Sequence, residues 1–292
     1  MKPVAFDYRA PRDLDTALKL LSMLDNARVL AGGQSLVPML NLRLAMPDHL
    51  IDLGNIAELA GITENAETLT IGAMTRQRDI ERSAAVRRHC PLLTEAIFHV
   101  GHQQTRNRGT IGGSLCHLDP AAELPVVACA LDARLHVAGP ARERRQIAFA
   151  DFPTGYLSTQ LQPDEILVAV EFPLVRGRTG VAFVEFARRP ADFAIVSAAV
   201  AVTFDAEATI TEARIALGGL GPAPRRVPAA EAALVGQGDE RAAFESAAAI
   251  SASLPAEGDE LYPGHYRQEL ARVLTQRALE QASSRAGHAP DA

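Results

Sequence analysis

Several kinds of chemistry are missing from this chain. Cysteine is scarce: Cys90, Cys116 and Cys129 are an odd number without C-x-x-C spacing, a pattern of reduced thiols rather than of a disulfide frame. Three scattered thiols also cannot supply the four thiolates of an iron–sulfur cluster, so any such cluster must belong to another chain. The eight histidines include no H-x-x-x-H or H-E-x-x-H pair, and no metal site is expected. There is no G-x-S-x-G elbow, and Ser35 and Ser114 have no base nearby in sequence, so no catalytic nucleophile is expected either. No G-x-G-x-x-G fingerprint signals a nicotinamide site. No apolar run approaches the roughly 18 residues of a membrane span, and the start Met1-Lys-Pro-Val-Ala-Phe-Asp7 lacks the apolar core of a signal peptide. A cytoplasmic location is the resulting expectation. The net charge of −6 leaves no dense basic face for nucleic acid, and the short cluster 142–145 reads as a solvated loop. Internal repeats are not evident.

What remains is an ordinary globular composition, 48% hydrophobic and 22% charged over 292 residues, enough for two domains with real cores. Two glycine-rich stretches stand out. In Val29-Leu-Ala-Gly-Gly-Gln-Ser-Leu36 an apolar run breaks at two glycines, which reads as a short buried strand entering a turn with exposed N–H groups. Such a turn can cradle an anion without any charged side chain, although a plain tight turn has the same appearance. The second stretch, Thr105 to Glu123, adds Gly109, Gly112 and Gly113, hydroxyls and flanking arginines, and then an Asp119-Pro120 that can open a helix. Together the two suggest one divided site for a diphosphate, with Asp119 or Glu123 as acceptor for ribose hydroxyls; the alternative is two unrelated turns.

Apolar spacing predicts a helix within 11–26, a shorter one over 36–44 and a strand over 50–53, a small α/β unit of about 55 residues. A strand over 68–74 follows, then a helix with Thr75 as N-cap, a helix over 90–101, and another over 120–131. Strands are expected near 134–137, 146–149 and 166–172, with a linker over 174–180. Three further strand-like runs, 181–186, 194–204 and 210–217, precede Ala-rich helices over 228–235, 241–250 and 266–282, with a frayed tail after Ser284.

These stretches carry a resemblance. Ala31-Gly-Gly-Gln-Ser-Leu-Val-Pro-Met-Leu40 with Arg43 and Ile51-Asp-Leu53, then Thr110-Ile-Gly-Gly-Ser114 with Asp119-Pro-Ala-Ala-Glu-Leu-Pro125, resembles the FAD-binding medium subunits of the molybdenum hydroxylases, the family of the carbon-monoxide dehydrogenase medium chain and, more distantly, of the xanthine dehydrogenase flavin domain. The match continues in order through Asp164-Glu-Ile-Leu167, Arg188-Arg189 with Asp192-Phe-Ala194, and Tyr266-Arg267, over nearly the whole chain. The resemblance implies an α+β fold. It consists of a two-subdomain FAD-binding domain of the PCMH or vanillyl-alcohol-oxidase-like type over 1–174, divided near 55, and an α+β C-terminal domain over 180–284 with a three-stranded antiparallel sheet and helices. The implied cofactor is FAD, held by Ala31, Gly32, Gly33, Gln34, Ser35, Leu36, Thr110, Gly112, Gly113, Ser114, His117, Asp119, Glu123, Leu167 and Phe193, with no residue acting as a covalent catalyst. His117 is expected to pack or hydrogen-bond rather than move protons, and Arg188-Arg189 to be site wall or plain surface charge.

By the same resemblance, substrate is oxidised at a molybdopterin centre in a large subunit. Electrons pass through two-iron two-sulfur clusters of a small subunit, and the FAD of this chain hands them to an external acceptor, in a heterotrimer that is often doubled. Two positions depart from the family pattern. Gln34 stands where histidine is usual, which alters any side-chain contact but not a backbone cradle. Phe193 stands where many relatives carry tyrosine, and it keeps the stacking surface while lacking a hydroxyl to donate. The rival readings are a stand-alone flavin oxidase of the same fold and a scaffold that has lost FAD. The sequence leaves the large subunit's substrate, the electron acceptor and the flavin potential open.

Overall fold

A computed structural model describes residues 1–140 and 143–286, so Arg142 and the end of the C-terminal tail lie outside the described residues. Asp13 begins the first helix as expected: its carboxylate accepts from Thr16 N at 2.8 Å and caps α1 (Leu14–Met23). The inward stripe of α1 is Leu14, Ala17, Leu18 and Leu21. It covers a three-stranded parallel sheet of β1 (Asp7–Arg9), β3 (His49–Asp52) and β2 (Ala27–Leu30), in that spatial order. The strand entering the first glycine turn, β2, is only half-buried rather than fully buried, because it lies at the edge of this small sheet. Helix α2 (Leu36–Asn41) follows the turn.

The next layer is a five-stranded antiparallel sheet, ordered β4 (Ile62–Glu64), β5 (Thr68–Gly72), β10 (Ile166–Pro173), β6 (Arg134–Ala138), β7 (Arg144–Ala148). The short helices α4 (Ala84–His89) and α6 (Gln103–Arg108) lie between β5 and β6 in the chain, and the hairpin β8 (Pro153–Gly155) and β9 (Ser158–Thr159) lies between β7 and β10. Leu69, Ile71, Leu135, Val137, Val170 and Phe172 point into one core with α5 (Pro91–His99), α7 (Ile111–His117) and α8 (Glu123–Ala130). Each such large side chain contributes about 1.5–3 kcal/mol through burial. Two local expectations fail here. Thr75 does not cap a helix; its hydroxyl bridges Gly61 N and O at 2.9 and 3.0 Å, and α3 (Gln77–Arg82) starts after Arg76. Pro120 does not sit in a helical turn either, since α8 begins only at Glu123 while Asp119 accepts from Ala121 N at 2.9 Å in an Asx turn.

The chain then enters β11 (Arg178–Ala187), so the expected linker is partly strand, and continues through β12 (Ala194–Phe204) and β13 (Ile210–Gly218). These three runs pair antiparallel in chain order, but the sheet has four strands, not three. A two-residue β14 (Arg225–Arg226) adds to β13, held by Arg226 on Glu231 and Asp132 at 2.6–3.0 Å. Two arginines carry no alternation that a sequence pattern could register. Helices α9 (Pro228–Leu234), α10 (Arg241–Ala252) and α11 (Gly264–Ala286) cover one face, with α11 extending past Ser284. The other face, through Phe183, Ala199 and Ala216, packs into the same core as α5 and α8. With both faces covered, β12 is a nearly continuous apolar run, which accounts for its lack of alternation.

Candidate functional site

The two glycine stretches meet. A Cβ on Gly32 would lie 2.4 Å from Arg108 O and 2.7 Å from Gly109 Cα, and one on Gly113 would lie 3.3 Å from Ala31 Cβ. Only hydrogen at Gly32 lets the two backbones touch. Arg108 O also accepts from Arg76 Nη1, which fixes the contact from the far side. Gly33 turns the chain with φ +74°, and around it the N–H groups of Gly32, Gly33, Gln34, Ser35 and Leu36 find no acceptor among the described residues. Consecutive free N–H groups of this kind form a partly positive concavity.

The second stretch differs from the open loop its glycines suggested, because it is the first turn of α7. Thr110 accepts from Gly113 N at 3.0 Å as N-cap, and Ile111, Gly112 and Ser114 donate their N–H groups to Thr75 O, Ala73 O and Thr110 O. Backbone donors are therefore spent here, and what remains is the Ser114 hydroxyl, which has no partner among the described residues. The glycines serve approach: a Cβ on Gly112 would lie 2.6 Å from that of Ala73.

Helix α7 spans about 10 Å from the glycine junction and ends on Leu118 in the left-handed region, which directs Asp119 into a cleft of about 540 Å³. Asp119, Ala121, Tyr156, Arg188, Phe193 and Tyr262 are among its walls. Phe193 is 70% exposed, so it belongs to the cleft rim and not to the core of β12. Its N–H donates to Asp192 Oδ1 at 3.0 Å, and this bond, with Arg189 at 3.2 Å, holds the Asp192 carboxyl below the usual range. The far wall is pinned by Arg267, which donates to Ile195 O, Gly219 O and Asp259 at 2.6–2.8 Å. Tyr156 closes one end on Glu257, and that hydrogen bond raises the phenol's pKa.

Among the residues singled out from sequence, Ala31 to Leu36, Thr110, Gly112, Gly113 and Ser114 gather at the junction, and Asp119 and Phe193 share the cleft. His117 lies between, 3.9 Å from Asp119. Exposed Gln34 turns back on Gly32 O at 3.2 Å. Leu167 and Glu123 lie deeper. Leu167 is 4% exposed in the core beside a register shift in β10, and Glu123 is 7% exposed at the start of α8. Burial is the main reason that the Glu123 carboxyl is pushed up to about 8. Of the two proposed ribose acceptors, only Asp119 lines the cleft. Sequence reasoning missed Tyr156, Glu257 and Tyr262, which carry no motif. It also missed Glu185, whose signal was a carboxylate at an inward position of the alternation Val181, Phe183, Glu185.

Family models match almost the entire chain: the FAD binding domain in molybdopterin dehydrogenase over residues 4–175 and the CO dehydrogenase flavoprotein C-terminal domain over 181–282. The chain belongs to the FAD-binding medium subunits of the molybdenum hydroxylases. As a medium subunit it is 38% identical to the 6-hydroxypseudooxynicotine dehydrogenase complex subunit alpha of Paenarthrobacter nicotinovorans, over 98% of this chain and 97% of that one. It is 36% identical to the carbon monoxide dehydrogenase medium chain of Hydrogenophaga pseudoflava, over 98% and 99%. The solved carbon monoxide dehydrogenase from that organism superimposes with a TM-score of 0.94 at 36% identity, covering 98% and 99% of the two chains. Quinoline 2-oxidoreductase from Pseudomonas putida 86 gives 0.93, also at 36% identity, over 98% and 99%. This medium subunit is thus the FAD-binding electron-transfer component of an oxidoreductase of several subunits. Its site fits that cofactor, since a row of free backbone donors suits a diphosphate and the cleft beyond Asp119 offers aromatic walls. Among the described residues no helix is long and apolar enough to cross a membrane.

Proposed function

We propose that the FAD diphosphate rests on the N–H groups of Gly32 to Leu36 with help from the Ser114 hydroxyl, that Thr110, Gly112, Gly113 and Ala31 hold this cradle in shape, and that Asp119 serves the ribose or ribityl hydroxyls. Phe193 covers the ring in the cleft, with His117, Leu167 and Glu123 supporting it from behind. The observation that carries this reading is the run of five consecutive N–H groups without an acceptor among the described residues, in a segment that packs beside the start of α7. Hydrogen bonds from such donors to a charged group contribute about 1.5–3 kcal/mol each. Bound FAD supplies the redox chemistry, and the chain's part is to bind it, orient it and set its electrostatics.

The medium subunit works in a heterotrimer that doubles into a dimer of heterotrimers, with a small iron–sulfur subunit that delivers electrons through two-iron two-sulfur clusters and a large molybdopterin subunit where substrate is oxidised. Support comes from relatives named as a dehydrogenase complex subunit alpha, a dehydrogenase medium chain and a hydroxylase medium subunit. We divide the chain into domains over 1–174 and 180–284, a division in line with the two family matches, and place the complex in the cytoplasm, in keeping with its thiols. Two measurements test the assignment. Acid release of the cofactor should yield FAD, and FMN would refute it. Mixing the FAD-loaded chain with both partners should give substrate-dependent dye reduction, and turnover of the same substrate by the isolated chain at the same rate would refute the division of labour. Sedimentation of the reconstituted complex at the mass of one heterotrimer would refute the doubled assembly.

A further inference from the structure

Behind the cleft lies a polar cluster that the cradle does not use. Glu185 on β11 has a side chain only 5% exposed; its Oε1 stands 3.1 Å from His99 Nδ1 on α5, while its Oε2 is buried with no partner among the described residues. Glu123, at the first residue of α8, is the second buried carboxyl, and Glu185 and His99 are among the charges it feels most. An unpaired carboxylate oxygen in an interior is costly unless a proton or a cation is near. The other charged groups facing the cluster are accounted for. Glu95 on α5 accepts from Phe183 N at 2.9 Å and pairs with Arg285 of α11 at 2.7 Å, and Asp119 and His117 precede α8. From β12, the register partner of Glu185 is the neutral Ser197. The cluster therefore holds two carboxyls against a single imidazole.

Its placement relates it to the flavin. Glu123 lies two residues beyond Ala121, and Glu185 three residues before Arg188, and both of these end residues line the cleft. The two chain segments that wall the cleft thus converge on the buried carboxyls. We propose that the buried carboxyls of Glu123 and Glu185, with the partly exposed His99, form a proton-binding site that gains a proton when the flavin is reduced and releases it on reoxidation. This rests on the reading above that the ring occupies the cleft at Asp119 and Phe193. The balance is simple: two electrons from the iron–sulfur partner enter the bound flavin with one proton, leaving a net negative charge, and a second proton moves from solvent onto the Glu123 carboxylate. On reoxidation by the acceptor both protons leave. An added negative charge in a low-dielectric surrounding favours the protonated form of a nearby acid. Glu123 already stands where its protonation changes between neutral and mildly alkaline pH, so an added negative charge nearby moves a measurable fraction of a proton onto it. Glu185 and His99 act as positioning residues that keep the negative charge of the pair in place.

The test uses the FAD-loaded full chain reduced with dithionite in weakly buffered solution with a pH indicator. Wild type should take up as much as about three-quarters of a proton more per flavin near pH 8.5 than Glu123→Gln, and the excess should fade towards about pH 6, where Glu123 is protonated in both redox states. Glu185→Gln should shift the pH at which the excess appears. A measurement that needs no variant is the reduced-minus-oxidised infrared spectrum of wild type near the same pH, which should show a protonated carboxyl band, sensitive to deuterium, appearing on reduction. Equal proton uptake by wild type and Glu123→Gln, both loaded with FAD, overturns the proposal, and so does the absence of that band. If in addition Phe193→Ala leaves the flavin spectrum untouched, the placement of the ring has failed; if Phe193→Ala changes the spectrum and the band is absent, the proton site alone has failed.

Discussion

Replacing Gly32 by alanine should separate the two halves of the cradle. The new Cβ would stand 2.4 Å from Arg108 O, 2.7 Å from Gly109 Cα and 2.9 Å from Arg108 C, whereas ordinary contact begins near 3.4 Å, so the segments must part by about 1 Å. All three opposing atoms are backbone, and Arg108 O is also held by Arg76, so the second segment cannot rotate a side chain out of the way. Overpacking of this kind costs about 1–3 kcal/mol of stability. FAD affinity should fall further, because the Gly32–Leu36 segment and its N–H groups would be pushed away from the start of α7. Losing two such bonds to a charged group, at about 1.5–3 kcal/mol each, weakens binding by roughly a hundredfold or more. Gly33→Ala is the informative neighbour: its φ of +74° adds about 1–2 kcal/mol of strain, but the nearest new contact is the side chain of Val37 at 3.2 Å, so it should weaken binding less. Gly139→Ala, where the nearest contact would be 3.7 Å, serves as a control. Flavin content after purification and the dissociation constant from fluorescence quenching read the outcome. A Gly32→Ala chain that binds FAD as tightly as wild type would refute the junction as the cradle.

Three further predictions follow from other parts of the chain. Phe193→Ala should retain FAD with an altered absorption spectrum and faster reaction with oxygen, while stability changes by less than about 0.5 kcal/mol because the ring is mostly exposed; a drop in the melting temperature of several degrees would place Phe193 in the core. Gly180→Ala should destabilise the C-terminal sheet by about 3 kcal/mol, the top of the overpacking range, since a Cβ there would stand 1.8 Å from Ala282 O; unchanged denaturant unfolding would mean that β11 and α11 can part freely. Glu123 has a raised folded pKa, so the native state keeps a proton that the unfolded chain has already released. Its contribution is fully present below 4.5 and is lost as pH rises towards about 8, at up to about 1.4 kcal/mol per pH unit. Glu123→Gln should flatten the fall in stability over that window, and identical pH profiles for the two proteins would show that the carboxyl ionises without penalty.

Periodicity by itself determined the main elements. The stripe of α1, the runs that became β11 and β13, and the Ala-rich helices are local patterns, legible because the spacing of apolar residues records the buried face, while β12, covered on both faces, shows as one continuous apolar run. The glycine pairs were legible for a similar reason, since Gly33 answers to a positive φ that belongs to its own residue. Tertiary structure decided the rest. Whether a glycine frees its N–H groups for a ligand or spends them at home depends on what lies opposite: Gly32 meets the bare backbone of Arg108 and Gly109, while the turn at Gly112 finds acceptors in Ala73 and Thr75. The four-stranded C-terminal sheet depends in the same way on Arg226 finding Asp132, which lies 94 residues away in sequence. Glu123 reads as a polar residue at a helix start, a position that ordinarily faces water. Its burial comes from the packing of α8 against α5 and the C-terminal sheet, and that long-range contact made a candidate surface acceptor into an interior acid.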